Sequence, residues 1–98
     1  MVGVVEKVRI QLELDTSKAE FLDRFRVASG AATQKELINN AITIFRWAAK
    51  QVAAGRTIAA IDEQSETLRE LQMPALEAAG AYEKAHPGTL DIQVISES

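Results

Sequence analysis

The sequence predicts a mainly α domain with one short strand that pairs with a copy of itself, followed by an acidic C-terminal extension. Three observations carry this. Residues 7–14, Lys-Val-Arg-Ile-Gln-Leu-Glu-Leu, alternate without a fault: Val8, Ile10, Leu12 and Leu14 share one face, and Lys7, Arg9, Gln11 and Glu13 share the other. A period of two over eight residues marks a half-buried strand. The next forty residues carry helical periodicity, so no partner strand follows nearby, and a strand left alone has unpaired N–H and C=O groups. Pairing with the same strand of a second copy across a two-fold axis resolves this as an antiparallel ribbon.

Each element has local signals. Residues 1–6 read as a lead-in to the strand. Asp15, Thr16 and Ser17 offer three side-chain oxygens able to cap a first helix running to about Ser29. Its apolar stripe is Phe21, Leu22, Phe25 and Ala28, and Gly30 is a natural stop. Thr33-Gln34-Lys35-Glu36 then reads as a capping box, with the Thr33 hydroxyl capping the helix and Glu36 reaching back. The second helix runs from Gln34 to about Ala54, before Gly55. Leu37, Ile38, Ala41, Ile42, Phe45, Ala48, Ala49 and Val52 form its wide apolar face. Ile44 and Trp47 lie off that stripe. Either a subunit interface covers them or Trp47 packs under the C-terminal segment.

Residues 57–62 and 67–73 read as two strands joined at residues 63–66, although Ile61, Leu68 and Leu71 also permit helical spacing. Pro74 opens a short helix over residues 75–81, since proline is tolerated in a first turn, and His86-Pro87-Gly88 breaks it. Residues 90–94 alternate weakly, as an extra strand or a loose tail. The expected organisation is a dimerisation domain over residues 1–56 and an acidic extension over residues 57–98.

Composition bounds the function. With 98 residues there is room for one small domain and a tail. The chain has no cysteine, which excludes disulfides and thiolate metal sites and fits a reducing compartment, expected to be the cytoplasm. No apolar run approaches the roughly 18 residues of a membrane span, and the N-terminus has no basic, apolar and cleavage-site pattern. The net charge of −3 conceals an asymmetry: residues 1–56 carry +3 and residues 57–98 carry −6. A basic half beside an acidic half suits a nucleic-acid surface with an acidic appendage. His86 has no second histidine or cysteine to share a metal. Asp62, Glu63, Glu66 and Glu70 have no nucleophile or histidine partner, so no enzyme, metal or cofactor is expected.

The order of strand, glycine-terminated helix and capped second helix resembles the ribbon-helix-helix family of Arc, MetJ and CopG type. The pieces are residues 9–14 (Arg-Ile-Gln-Leu-Glu-Leu), the turn Ser29-Gly30-Ala31-Ala32-Thr33, and Glu36-Leu37-Ile38-Asn39-Asn40-Ala41-Ile42 opening the second helix. The resemblance covers about residues 7–55. It implies a homodimer whose paired strands enter the DNA major groove while the second helix's N-terminus binds a backbone phosphate. On this reading Arg9, Gln11 and Glu13 face bases. Arg9 suits guanine O6 and N7, and Gln11 suits adenine N6 and N7. Glu13 accepts from cytosine N4, repels phosphates, or pairs with Arg9 or Lys7 across the ribbon. Lys7, Thr33, Gln34 and Lys35 contact phosphates. The dimer core is Val8, Ile10, Leu12, Leu14, Leu22, Phe25, Leu37, Ile38, Ile42 and Phe45. Double-stranded DNA is the expected partner, with two dimers side by side on a full site and a repressor role. Many relatives are antitoxins that wrap a toxin with a C-terminal extension, so residues 57–98 are a second candidate partner surface. Glu13 and Asn39-Asn40, where relatives often carry a basic residue, fit a third reading: a dimeric protein-interaction module without DNA binding.

Overall fold

The computed structural model describes residues 8–91. Its elements are α1 (Thr16–Ser29), α2 (Gln34–Ala53), β1 (Ala59–Asp62), β2 (Thr67–Glu70) and α3 (Pro74–Ala85). The fold is mixed: three helices and a two-stranded antiparallel sheet. The described residues form two compact units, residues 8–39 and Asn40–Asp91. The boundary falls inside α2.

In the first unit, residues 8–14 precede α1 and belong to no sheet; the only described ladder joins β1 to β2. Helix α1 starts where the sequence places it, but Asp15 occupies the cap without a side-chain hydrogen bond. Gly30 ends the helix at φ 75°, a left-handed conformation that costs a residue without Cβ little. The Ala31 N–H returns to the Arg26 carbonyl and the Gly30 N–H to the Val27 carbonyl, both at 3.1 Å. This is the paired-bond ending that satisfies the last carbonyls of a helix. Helix α1 buries no residue; Phe21 and Phe25 stack on each other, with ring centroids 6.2 Å apart, and remain exposed.

In the second unit, α3 packs against the C-terminal part of α2. Leu76 meets Ala48 and Ala49 in a small buried cluster, with Val52, Ile58, Ala79 and Leu90 partly buried around it. Trp47 remains 53% exposed, so Leu76 rather than Trp47 anchors this segment. Gly80 permits the close approach: a Cβ there would lie 2.7 Å from Val52 Cγ1 and 3.1 Å from the Ala53 nitrogen. The hairpin pairs Ala59 with Glu70 through Asp62 with Thr67. Its four-residue loop is held by the Asp62 carboxylate, which accepts from the Gln64 and Ser65 N–H groups at 3.1 and 3.3 Å.

Helix α3 is longer than expected, ending at Ala85 rather than residue 81. Tyr82, Glu83, Lys84 and Ala85 complete the last turn, and the residue before a proline disfavours helix, so the break comes at His86. The chain then folds back along α2. Glu83 accepts from the Gly88 N–H at 3.0 Å and the Leu90 N–H at 2.8 Å. Arg46 donates to the Leu90 carbonyl, and Lys50 pairs with Asp91 at 2.6 Å. Leu90 and Asp91 form no strand; residues 92–94 of that expectation lie outside the described residues.

Candidate nucleic-acid interface

The apolar side of residues 8–14 has no cover of its own. Val8 and Ile10 are 82% and 80% exposed, and Leu12 and Leu14 are progressively less so as the chain nears α1. Ile10, Leu12 and Leu14 nevertheless converge with Ala19 and Leu22 of α1 and Gln34 and Ile38 of α2 on one open cleft. Five of the expected dimer-core residues thus line a single concave apolar surface in the first unit. Leu37 is half-buried, while Phe25, Ile42 and Phe45 are exposed. An exposed isolated apolar side chain is ordinary, but a contiguous apolar surface marks an interaction site.

Arg9, Gln11 and Glu13 alternate with those apolar residues and are exposed. Lys7, expected to contact phosphate, lies outside the described residues.

The N-terminus of α2 is built as a capping box. The Thr33 hydroxyl accepts from the Glu36 N–H at 3.1 Å. Glu36 reaches back to the Ala32 N–H at 2.6 Å, one residue earlier than the cap itself. The Thr33 hydroxyl is therefore committed to the helix, and the first-turn N–H groups of Gln34 and Lys35 are those that can serve an anion. The Glu36 carboxylate sits at the same helix end, where its charge opposes a phosphate. Lys35, in the same turn, is exposed.

Arg26 braces this helix end, a role that its place in the sequence does not announce. Its Nη1 donates to the Ala31 carbonyl at 3.2 Å, while Nε and Nη2 both donate to Asp23 Oδ1 at 3.1 Å. Asp23 and Arg26 stand three residues apart, a spacing that pairs charges along one helix face. That spacing was the available signal; the bond to the Ala31 carbonyl depends on the turn geometry. Ala31 itself is buried.

No protein-family model matches this chain, and no curated protein or solved structure matches it either. Among the described residues, no helix is long and apolar enough to cross a membrane.

Proposed function

We propose that the chain is a sequence-specific DNA-binding regulator, acting as a homodimer of ribbon-helix-helix type and most simply as a repressor. The observation that carries this is the open cleft formed by Ile10, Leu12, Leu14, Leu22 and Ile38, next to a strand-patterned segment with no ladder partner among the described residues. A second copy supplies both missing pieces: its strand pairs with residues 8–14, and its apolar side chains fill the cleft.

The magnitudes favour a broad interface. Full burial of a Val, Leu or Ile side chain gains about 1.5–3 kcal/mol. Association costs about 4–15 kcal/mol in lost freedom. The four strand residues alone cover the lower part of that cost, so exposed Phe25, Ile42 and Phe45 also enter the interface. The opposite face of the ribbon then presents Arg9, Gln11 and Glu13 from both copies to the major groove, which admits a two-stranded ribbon. Gln34 and Lys35 at the start of α2 hold the flanking phosphate.

Two other readings of the same dimer make different demands on the chain. In an antitoxin, residues 57–98 bind a toxin and gain their order on binding. The hairpin and the packing of α3 on α2 within one chain favour a regulator that folds its extension on itself. In a protein-interaction module without DNA binding, Glu13 and the Glu36 carboxylate are the supporting residues, because both oppose phosphate.

Sedimentation and DNA binding at graded salt test the proposal together. The wild type is expected to sediment as a dimer, and Ile10→Asp to shift it toward monomer. Binding to duplex DNA is expected to weaken steeply with salt, since each neutralised phosphate releases counterions. A monomer at micromolar concentration refutes the ribbon. A dimer without salt-dependent DNA binding transfers the assignment to the interaction module.

A further inference from the structure

The hairpin has one guarded edge and one open edge. Strand β2 carries Arg69 and Glu70, the kind of charge that natural edge strands use against pairing. Strand β1 beside it, preceded by Ile58, reads Ala-Ala-Ile-Asp, with one charge at its end and no proline or bulge. Strand β2 is the only element beside β1 among the described residues.

The register identifies the groups on that edge. The Leu71 N–H donates to the Ile58 carbonyl at 2.7 Å, so Ile58 and Leu71 form a hydrogen-bonded pair. Bonded and non-bonded pairs alternate in an antiparallel ladder. Ala60 with Arg69 and Asp62 with Thr67 are therefore the bonded pairs, while Ala59 and Ile61 direct their N–H and C=O groups outward. Ile61 and Leu68 lie opposite each other on one face and are 70% and 59% exposed.

We infer that β1 is a self-pairing edge whose partner is β1 of a second copy, antiparallel across a two-fold axis at Ala60. In this register Ala59 faces Ile61 of the other copy and Ile61 faces its Ala59. Both outward-directed residues then exchange both of their backbone bonds. Ala60 meets its own counterpart in the non-bonded position, where Cα atoms approach to about 4.5 Å and small side chains fit. Asp62 lies opposite Ile58, so no like charges meet. A shift that centres the axis on Ile61 instead pairs only that residue through both bonds and places Ala59 opposite Glu63. The junction sets Ile61 of each copy beside Ala59 of the other, so that the Ile61–Leu68 apolar pair extends to a third strand and ends at Glu70 on the fourth. It is far smaller than a standard interface of about 1,600 Å², so it forms at high local concentration. It uses different residues from the ribbon and does not rest on the DNA-binding reading.

The chain has no cysteine, which makes single-cysteine cross-linking clean. Under mild oxidation the full-length Ala60→Cys variant is expected to form a disulfide-linked dimer about ten-fold faster than Ala59→Cys or Asp62→Cys, because only position 60 brings like residues within disulfide reach. Equal rates at the three positions, or a faster reaction at 59 or 62, overturn the inference. Ala60→Glu provides the second arm. It sets a carboxylate opposite Arg69 within the hairpin, which favours the strand, and two carboxylates opposite each other across the axis, which disfavours pairing. Sedimentation is expected to show this association step weakened, and restored by mixing the Ala60→Glu and Ala60→Lys chains. Unchanged association in Ala60→Glu overturns the inference.

Discussion

Replacing Gly80 by alanine tests whether the C-terminal extension is seated on α2, which separates a self-contained regulator from a chain that orders its extension on a partner. Two effects oppose each other. Alanine is favoured over glycine inside a helix by about 0.8–1 kcal/mol. The added methyl, however, meets Val52 Cγ1 at 2.7 Å, Val52 Cβ at 3.0 Å and the Ala53 nitrogen at 3.1 Å. Valine in a helix has essentially one rotamer, and the other two atoms belong to the α2 framework, so nothing swings aside cheaply. Overpacking of this kind costs about 1–3 kcal/mol. Gly80→Ala is therefore expected to destabilise the protein by about 1 kcal/mol, which lowers the melting temperature of a domain this size by about 4–8 °C. Urea unfolding of wild type, Gly80→Ala, Val52→Ala and the double variant measures it. Val52→Ala removes the nearest methyl, so Gly80→Ala is expected to cost less in that background by about 1 kcal/mol. A Gly80→Ala protein more stable than wild type, with no coupling to Val52→Ala, refutes the contact and with it the seating of α3.

Three further outcomes follow, two from the hydrogen bonds and one from the proposed phosphate contact. Thr33→Ala removes the hydroxyl that caps α2 and is expected to cost about 1 kcal/mol in urea unfolding. Lys35→Ala is expected to reduce the slope of log affinity against log salt by about one, with the same preferred DNA sequence, since a phosphate contact carries no base information. Acid stability reports on the carboxylates. The Gly88 and Leu90 N–H groups hold Glu83 below its ordinary 4.5, the Ser65 and Gln64 groups hold Asp62 below 3.8, and Lys50 followed by Arg46 holds Asp91 below 3.8. Each lowered value contributes stability that is present above the ordinary value and is lost as pH falls through the lowered one. Melting temperature is thus expected to fall below about pH 4.5, and Glu83→Gln to flatten that limb; an unchanged acid limb in Glu83→Gln counts against the Gly88–Leu90 loop anchored on Glu83.

What was legible in the sequence was local. The ends of α1 and α2 carry their own chemistry in Gly30, Thr33, Glu36 and Gly55, and Gly55 closes α2 with the same pair of returning bonds as Gly30 closes α1. The hairpin was legible in part: Ile58 and Ala60, and Leu71 and Met73, alternate on either side of a polar loop, while the strands themselves, Ala59–Asp62 and Thr67–Glu70, are shorter than the expected residues 57–62 and 67–73. The end of α3 was not, since the apolar signal fades at residue 81 while the backbone continues until Pro87 prevents it. The fold-back of Leu90 and Asp91 onto Arg46 and Lys50 left no trace, because it joins residues more than forty positions apart through exposed ion pairs. The Arg26 bond is hidden for a related reason: its partner is a backbone carbonyl, which no residue type announces. In the first unit, alternation located Ile10, Leu12 and Leu14, and the structure brings them to Leu22 and Ile38 at one cleft. What fills the cleft is a matter of association, which periodicity within one chain addresses only through the missing partner strand.

The most direct measurement is selection from a pool of random DNA duplexes by the purified full-length protein at low and at moderate salt. Enrichment of a short palindromic or repeated site is expected at low salt, weakened at moderate salt, with the preference altered by Arg9→Ala and by Gln11→Ala at separate positions. An unenriched pool at low salt, from a protein that sediments as a dimer, would contradict DNA reading by the ribbon.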